Sequence, residues 1–208
     1  CGLRIPPSAG SGFGKNGSPL GYNRIYAYAP HPSQSAWWQA VRDGQTFVTS
    51  GPLLRATVNG ELPGKVFAAR AGTSIELDIA LTLTVADPVE YLEVVYNGGT
   101  LYRARLDEYA RQGGKIPPQT VGESGWLLIR VVTERDHTYR IASTAPYYVE
   151  IGEHSRISAR AVTFFQAWLE KSAERISQQR EPLKQAAEPY LAAARVFWTD
   201  RANRATAE

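Results

Sequence analysis

Apolar and polar residues alternate over several short stretches of the chain, a pattern typical of strands with one buried face. The clearest stretch is Ser74 to Thr84, where Ile75, Leu77, Ile79, Leu81 and Leu83 occupy alternate positions. We expect this stretch to form one long strand with its apolar face in a core. Shorter apolar runs predict further strands at 23–29, 46–49, 53–58, 89–96, 100–106, 126–133 and 139–151.

Turn-forming residues separate these runs. Asn59-Gly60 follows the run at 53–58, and Asn97-Gly98-Gly99 lies between the runs at 89–96 and 100–106. Asn-Gly tolerates the positive φ angles of a tight hairpin turn. Short strands at this spacing over about a hundred residues predict an immunoglobulin-like β-sandwich. Cys1 is the single cysteine, so this sandwich would lack the disulfide that pins many such domains.

Two parts of the chain show helical spacing instead. A short helix containing Trp37-Trp38 is predicted before Gly44. After residue 152 the apolar residues recur every three or four positions, with Ser155 as the expected cap. Pro182 suits the first turn of a second helix, which Pro189 is expected to restart.

Composition narrows the classes of function. The chain has 208 residues, of which 43% are hydrophobic and 21% charged, with a net charge of +3. These values are typical of a globular chain with one large or two small domains. Lysine and arginine are scattered rather than concentrated in a stripe, so we expect no nucleic-acid partner. No window approaches the roughly 18 apolar residues of a spanning helix, so we expect no membrane span.

Motifs that carry chemistry are weak in this chain. Gly12–Gly17 matches the dinucleotide pattern G-x-G-x-x-G by its letters, but the flanking Pro6-Pro7 and Ser18-Pro19 are neither strand nor helix, so a loop is predicted. No G-x-S-x-G nucleophile motif occurs. The histidines are not spaced to share a metal ion: His31, His137 and His154. We therefore predict neither catalytic nor metal-ligating residues in this chain.

Aromatic residues are numerous, with five tryptophans and eleven tyrosines. Exposed rings of this kind can form a platform for sugars, but the apolar spacing around most of them favours packing in the core. A glycan- or protein-binding sandwich therefore stays open as an alternative function.

The chain contains no methionine, even at position 1, so we expect it to begin downstream of a true amino terminus. Cys1 has two interpretations: the lipid-bearing residue of a mature bacterial lipoprotein, or the first residue of a partial chain. Apolar sequence begins at once at Leu3–Pro7, where a lipoprotein would have a polar tether. We favour the partial chain.

Three stretches together carry a family resemblance: LRIPPSAGSGFGKNGSPLGYNRIYAY at 3–28, WWQAVRDGQTFVTSGPLLRATVNGELPG at 37–64 and STAPYYVEIG at 143–152. They resemble the carboxy-terminal half of metallohydrolases of the PHP superfamily (polymerase and histidinol phosphatase), in the carbaryl-hydrolase-like CehA/McbA branch. The resemblance implies three segments: the tail of a hydrolase barrel at 1–50, a β-sandwich at 51–152 and a helical segment at 153–208. The expected fold is mainly β, with a short α/β segment before the immunoglobulin-like sandwich and C-terminal α-helices after it.

The resemblance also implies a function. The parent protein would activate water on a divalent metal and cleave an ester, carbamate or phosphoester bond. Most metal ligands would lie upstream, and the family's late motif resembles Gly-Ser-Asp-x-His. Here Gly12 and Gly14 stand in place of the aspartate and the histidine, and glycine has no side chain to bind a metal. This chain is thus expected to hold no cofactor and to be inactive alone; a divalent metal would belong to the full-length parent.

The resemblance places the loop from residue 8 to 22 at the rim of the barrel mouth. Ser8, Ser11, Asn23 and Arg24 are the residues that can face a substrate there, although we favour a bracing role for the last two. The partner would be the upstream barrel of the same polypeptide, and without it the strands at 23–29 and 46–49 would have unpaired edges. The branch resembled implies an extracytoplasmic location, secreted or periplasmic.

Overall fold

The computed structural model describes residues 1–12, 18–134 and 140–208. The chain forms two compact units, Ile5–Glu153 and the pair of segments Cys1–Arg4 and His154–Glu208. His137, and the glycine-rich run after Gly12, lie outside the described residues. The division of the chain at residues 50 and 152 stays a prediction.

The larger unit contains most of the strands and the smaller unit contains two long helices. In chain order the elements are β1 (Arg24–Ala27), α1 (Gln34–Arg42), β2 (Thr46–Thr49), β3 (Leu53–Val58), β4 (Val66–Ala69), β5 (Ile75–Leu77), β6 (Ile79–Thr84), β7 (Val89–Tyr96), β8 (Gly99–Ala104), α2 (Leu106–Arg111), β9 (Gln119–Val121), β10 (Gly125–Thr133), β11 (Ile141–Thr144), β12 (Tyr147–Ile151), α3 (Ala159–Ser177) and α4 (Glu181–Asn203).

The strands form the two layers of a sandwich. The larger layer is an eight-stranded sheet in the order β1-β2-β11-β10-β12-β4, with β7 and then β8 on the other side of β10. One side of β10 pairs with β7, and its other side is shared by β12 and β11. The second layer contains the antiparallel pairs β3–β6 and β5–β9.

One apolar cluster fills the space between these layers. Leu54 and Leu77 from the second layer belong to the same cluster as Leu127 and Ile129 of β10, and all four are fully buried. Burial of each such side chain contributes about 1.5–3 kcal/mol. The alternating sequence pattern therefore has the predicted outcome: the chain is mainly β, a β-sandwich with C-terminal helices.

The predicted long strand at 74–84 is divided in two at Asp78, so this prediction is wrong in one respect. The Asn59 side chain accepts a hydrogen bond from the Asp78 backbone N at 2.7 Å and donates one to the Glu76 carbonyl at 3.1 Å. The Asn59 backbone N–H also donates to the Asp78 carbonyl at 2.8 Å, and the paired strand changes here from β9 to β3. The predicted apolar face is confirmed, since Leu77 and Ile79 are both buried.

The strand β2 is paired on both sides, so the expectation of unpaired edges is wrong for it. β2 pairs with β1 along four residues and with β11 through Thr49–Ala142, Val48–Ser143 and Phe47–Thr144. The Ala145 backbone N extends this contact by donating to the Thr46 carbonyl at 2.8 Å. The sandwich itself therefore supplies the second neighbour of β2.

The smaller unit is an antiparallel pair of helices. Ser158, rather than the predicted Ser155, caps α3: its hydroxyl accepts from the Ala161 backbone N at 3.2 Å. Pro182 lies in the first turn of α4 as predicted, whereas Pro189 lies inside a continuous helix and does not restart it. The helix is continuous there even though a proline removes one backbone hydrogen bond. Among the described residues, every helix is too short or too polar to cross a membrane.

Candidate functional site

Two of the predicted rim residues hold the amino-terminal loop to the start of β1. The Ser11 hydroxyl accepts from the Asn23 backbone N at 3.1 Å and lies 3.4 Å from the Asn23 carbonyl oxygen, to which it donates. The Asn23 side-chain amide donates to the Gly10 carbonyl at 3.3 Å. These polar groups are used in joining backbone segments. Ser8 is exposed.

Arg24, the fourth rim candidate, is half-buried on β1 beside Thr49. Its guanidinium carbon lies 6.0 Å from the centre of the Tyr26 ring, and its Nε is buried without a hydrogen-bond partner among the described residues. An unpaired buried N–H costs free energy, so a partner group at this position would be stabilising. Of the four candidates, the structure brings together Ser11 and Asn23.

Sequence reasoning missed an arginine that contacts the same loop. The Arg140 guanidinium lies 5.8 Å from the centre of the Tyr22 ring and 3.2 Å from the carboxylate of the buried Asp87. The partners are far apart along the chain, so no spacing in the sequence indicates them.

The described residues contain no recognisable metal-binding site. No group of three or more histidine, cysteine, aspartate or glutamate residues is close enough there to hold an ion. His31 and His154 are both exposed and belong to different units. The expectation that this chain binds no metal stays a prediction.

A buried carboxylate lies on the larger sheet, away from the core. Glu93 is only 3% exposed, and its two oxygens meet Nε of Arg130 at 2.6 Å and Nε of Arg103 at 3.3 Å. Arg103 also lies over the Tyr91 ring, 4.0 Å from its centre. Both arginines remain about half exposed, so the cluster presents positive charge to solvent while the Glu93 carboxylate is engaged.

A groove runs beside β6, between Asp78–Leu81 and the loop at 112–118, with a volume of about 640 Å³. β6 pairs with β3 on one side, and on the other it faces Pro117-Pro118. Proline has no backbone N–H, so this loop cannot continue the sheet. The groove thus offers a strand edge beside both apolar and polar side chains, an arrangement that accepts an extended peptide. The sequence indicated the loop but not its position beside β6.

The tryptophans and tyrosines together were predicted to pack mostly in the core; Tyr96 and Tyr147 do so, but the tryptophans do not. No tryptophan among the described residues belongs to the buried core, and Trp38 and Trp168 are 47% and 54% exposed. Trp37 packs edge-on against Trp38 with ring centres 4.8 Å apart. Helical spacing shows that one side of a helix is apolar, but it does not show whether anything covers that side.

Two tyrosines connect the layers of the sandwich. The Tyr147 hydroxyl on β12 donates to the Ala56 carbonyl on β3 at 2.9 Å, and the Tyr28 hydroxyl accepts from the Ala56 backbone N at 3.4 Å. Burial raises the pKa of both phenols. They therefore stay protonated at neutral pH, and their hydroxyls join the two layers through Ala56.

Comparison with known proteins finds similarity to a solved structure. No family model matches the chain, and no curated protein matches it. A solved structure described as "Structures of Clostridium thermocellum CbhA fibronectin(III)-like modules" aligns with 46% of this chain and 96% of its own, at 19% identity and a TM-score of 0.27. The fold assignment rests on the strand pairing and the shared core described above.

Proposed function

We propose that the chain is the carboxy-terminal accessory portion of a PHP-like metal-dependent hydrolase and is not catalytic by itself. The parent enzyme would cleave ester, carbamate or phosphoester bonds. The supporting observation is the edge of the larger sheet: β1 pairs with β2 on one side and with no other strand of the described residues. Open sheet edges accept further strands, so a strand of the upstream barrel can pair there.

The backbone of β1 has donors oriented for such pairing, one of them at Ile25. The Tyr28 N–H, just beyond β1, donates to the Gln45 carbonyl at 2.9 Å on the side of β2. The N–H groups of successive residues in a strand point to opposite edges. Ile25, three residues before Tyr28, therefore directs its N–H away from β2 and toward the open edge.

The rim residues fit a supporting role. Ser11 and Asn23 hold the loop against the first residues of β1, which would keep it in place at the barrel mouth. The buried Nε of Arg24 would gain a hydrogen bond from an upstream carbonyl or carboxylate. Each residue then positions the junction and does not react with the substrate.

The test compares the full-length polypeptide with its upstream part alone and with this chain alone, on ester, carbamate and phosphoester substrates. We expect hydrolysis by the full-length protein, none by this chain, and a loss of at least about tenfold for the upstream part alone, since one strand pairing contributes a few hydrogen bonds of about 1 kcal/mol each. Ile25→Pro removes the outward N–H and should lower activity, whereas the matched control Ile25→Ala keeps it. Equal hydrolysis with and without this chain would remove its accessory role.

A second function, binding of a glycan or of an extended peptide, is favoured by the groove beside β6. Ala80→Arg places a long side chain in this groove, whereas Thr82→Arg makes the same change at an exposed position of β6 outside the groove lining. A glycan array and an extended-peptide library should show binding that only the first substitution abolishes. Failure of both screens would exclude this function.

A further inference from the structure

The two C-terminal helices expose large apolar side chains along one side of the pair. Five residues form this surface, which we call the aromatic face; their exposed fractions are 64% for Phe164, 54% for Trp168, 51% for Leu183, 77% for Tyr190 and 38% for Phe197. On α3 the members are four residues apart, and on α4 they are seven apart. Both spacings place side chains on one side of a helix.

Contacts between α3 and α4 show that the members of the aromatic face on the two helices lie on the same side of the helix pair. Phe165 and Trp198 stack between α3 and α4 with ring centres 5.0 Å apart, so they mark the sides that face each other. Phe164 and Phe197 each precede one of these residues by one position, a rotation of about 100°. Because the helices are antiparallel, equal rotations turn both side chains toward the same side of the pair.

Basic residues accompany the aromatic face. Lys171 and Arg175 lie seven residues after Phe164 and Trp168, on the same side of α3. Arg201 lies four residues after Phe197, and its guanidinium carbon is 5.2 Å from the centre of that ring. The aromatic face thus combines exposed rings with cationic side chains.

Acidic residues lie on the opposite side of the pair. Glu170 receives two hydrogen bonds from Arg195, each of 3.0 Å, which join α3 to α4 on that side. Glu174 follows Glu170 by four residues and Glu188 precedes Arg195 by seven, so both fall on the same side. Lys171, Arg175 and Arg201 therefore accompany the aromatic face, whereas the carboxylates lie on the opposite side, where Arg195 is engaged by Glu170.

We propose that the aromatic face is a docking surface for an anionic lipid bilayer, on which α3 and α4 lie in the plane of the headgroups. Exposed tryptophan, tyrosine and phenylalanine insert at the boundary between headgroups and acyl chains, and lysine and arginine beside them contact anionic headgroups. The acidic side faces away from the surface. A second copy of the same face would oppose positive charge with positive charge, so the charge pattern favours lipid over self-association.

The first measurement is cosedimentation of the 208-residue chain with vesicles of pure phosphatidylcholine and with vesicles that contain about 30% phosphatidylglycerol. We expect binding to the anionic vesicles, since each basic side chain near the surface should raise the binding constant about fivefold. Added salt should weaken this binding because it screens the charges. Brominated lipids in these vesicles should quench tryptophan fluorescence.

Apolar variants test the face itself. Phe164→Ser combined with Trp168→Ser should weaken vesicle binding by about tenfold or more, since two exposed rings lose their insertion. Val196→Ser is the matched control: Val196 is 73% exposed on α4 and lies two residues from Trp198, on the outer side away from the aromatic face. Its binding should match that of the native chain, and far-UV circular dichroism checks that the helices form in each variant.

Charge variants test the lipid headgroup contact. Lys171→Glu combined with Arg175→Glu should abolish the preference for anionic vesicles. Arg42→Glu combined with Arg70→Glu makes the same change in net charge at exposed positions of the sandwich unit and should leave binding within about twofold.

Three results would overturn the proposal. They are an absence of vesicle binding by the native chain, equal binding to neutral and anionic vesicles, and a stable dimer in light scattering that only the double serine variant disrupts. The last result would assign the aromatic face to a second copy of the chain.

Discussion

Gly64→Ala should be the most damaging small substitution in the sandwich unit. Gly64 has φ +89, and a Cβ there would overlap the Asp43 carbonyl oxygen and lie 3.0 Å from its carbonyl carbon. Gly64 also donates its N–H to the Pro146 carbonyl at 2.9 Å. The position therefore joins the corner between α1 and β2 to the loop after β3.

The expected loss has two parts. A side chain at positive φ costs about 1–2 kcal/mol, and displacing backbone that is already packed costs about 1–3 kcal/mol more. The sum is about 2–5 kcal/mol, a large share of the roughly 5–15 kcal/mol by which domains are stable. Gly60→Ala is the control: Gly60 has φ +79, but nothing lies within 4 Å of its Cβ position, so only the first part applies.

Urea unfolding followed by tryptophan fluorescence measures both variants. With a slope of about 2 kcal/mol per molar urea, Gly64→Ala should lower the midpoint by about 1–2.5 M and Gly60→Ala by under about 1 M. Hydrogen exchange should also show the amides of β2 exchanging faster in Gly64→Ala alone. Equal midpoints for the two variants would refute the close approach between Gly64 and Asp43.

Three further predictions concern polar contacts. Tyr147→Phe loses the hydrogen bond to the Ala56 carbonyl and should lower the free energy of unfolding by about 1 kcal/mol. Because burial raises the pKa of Tyr147, the contribution of this phenol to stability is complete below its unfolded pKa of about 10 and declines as the pH rises further. Above pH ~10 the variant should therefore lose stability less steeply than the native chain in urea titrations. Glu93→Gln should cost about 2 kcal/mol in the same assay, since the side chain loses its charge between two arginines, and an unchanged midpoint would contradict this. Ser11→Ala should cost under about 1 kcal/mol and speed exchange of the Asn23 amide, which mass spectrometry detects.

Several features were predictable because they depend on neighbours in the sequence. Alternation identified the buried side of β5 and β6, and Asn97-Gly98 identified the hairpin between β7 and β8. Pro182 marked the first turn of α4. In each case the contacts that determine the feature lie within a few residues of one another in the sequence. The periodicity of strands and helices, or the geometry of a turn, is therefore sufficient to predict the feature.

Contacts between distant residues were decided only by the tertiary structure. The pairing of β2 with β11 and the hydrogen bond from Arg130 to Glu93 join residues that no local pattern connects. Likewise, helical spacing predicted apolar sides for α3 and α4, but only the antiparallel contact between Phe165 and Trp198 showed that those sides form one exposed surface. Local periodicity determines which side of an element is apolar, and long-range packing determines what, if anything, covers it.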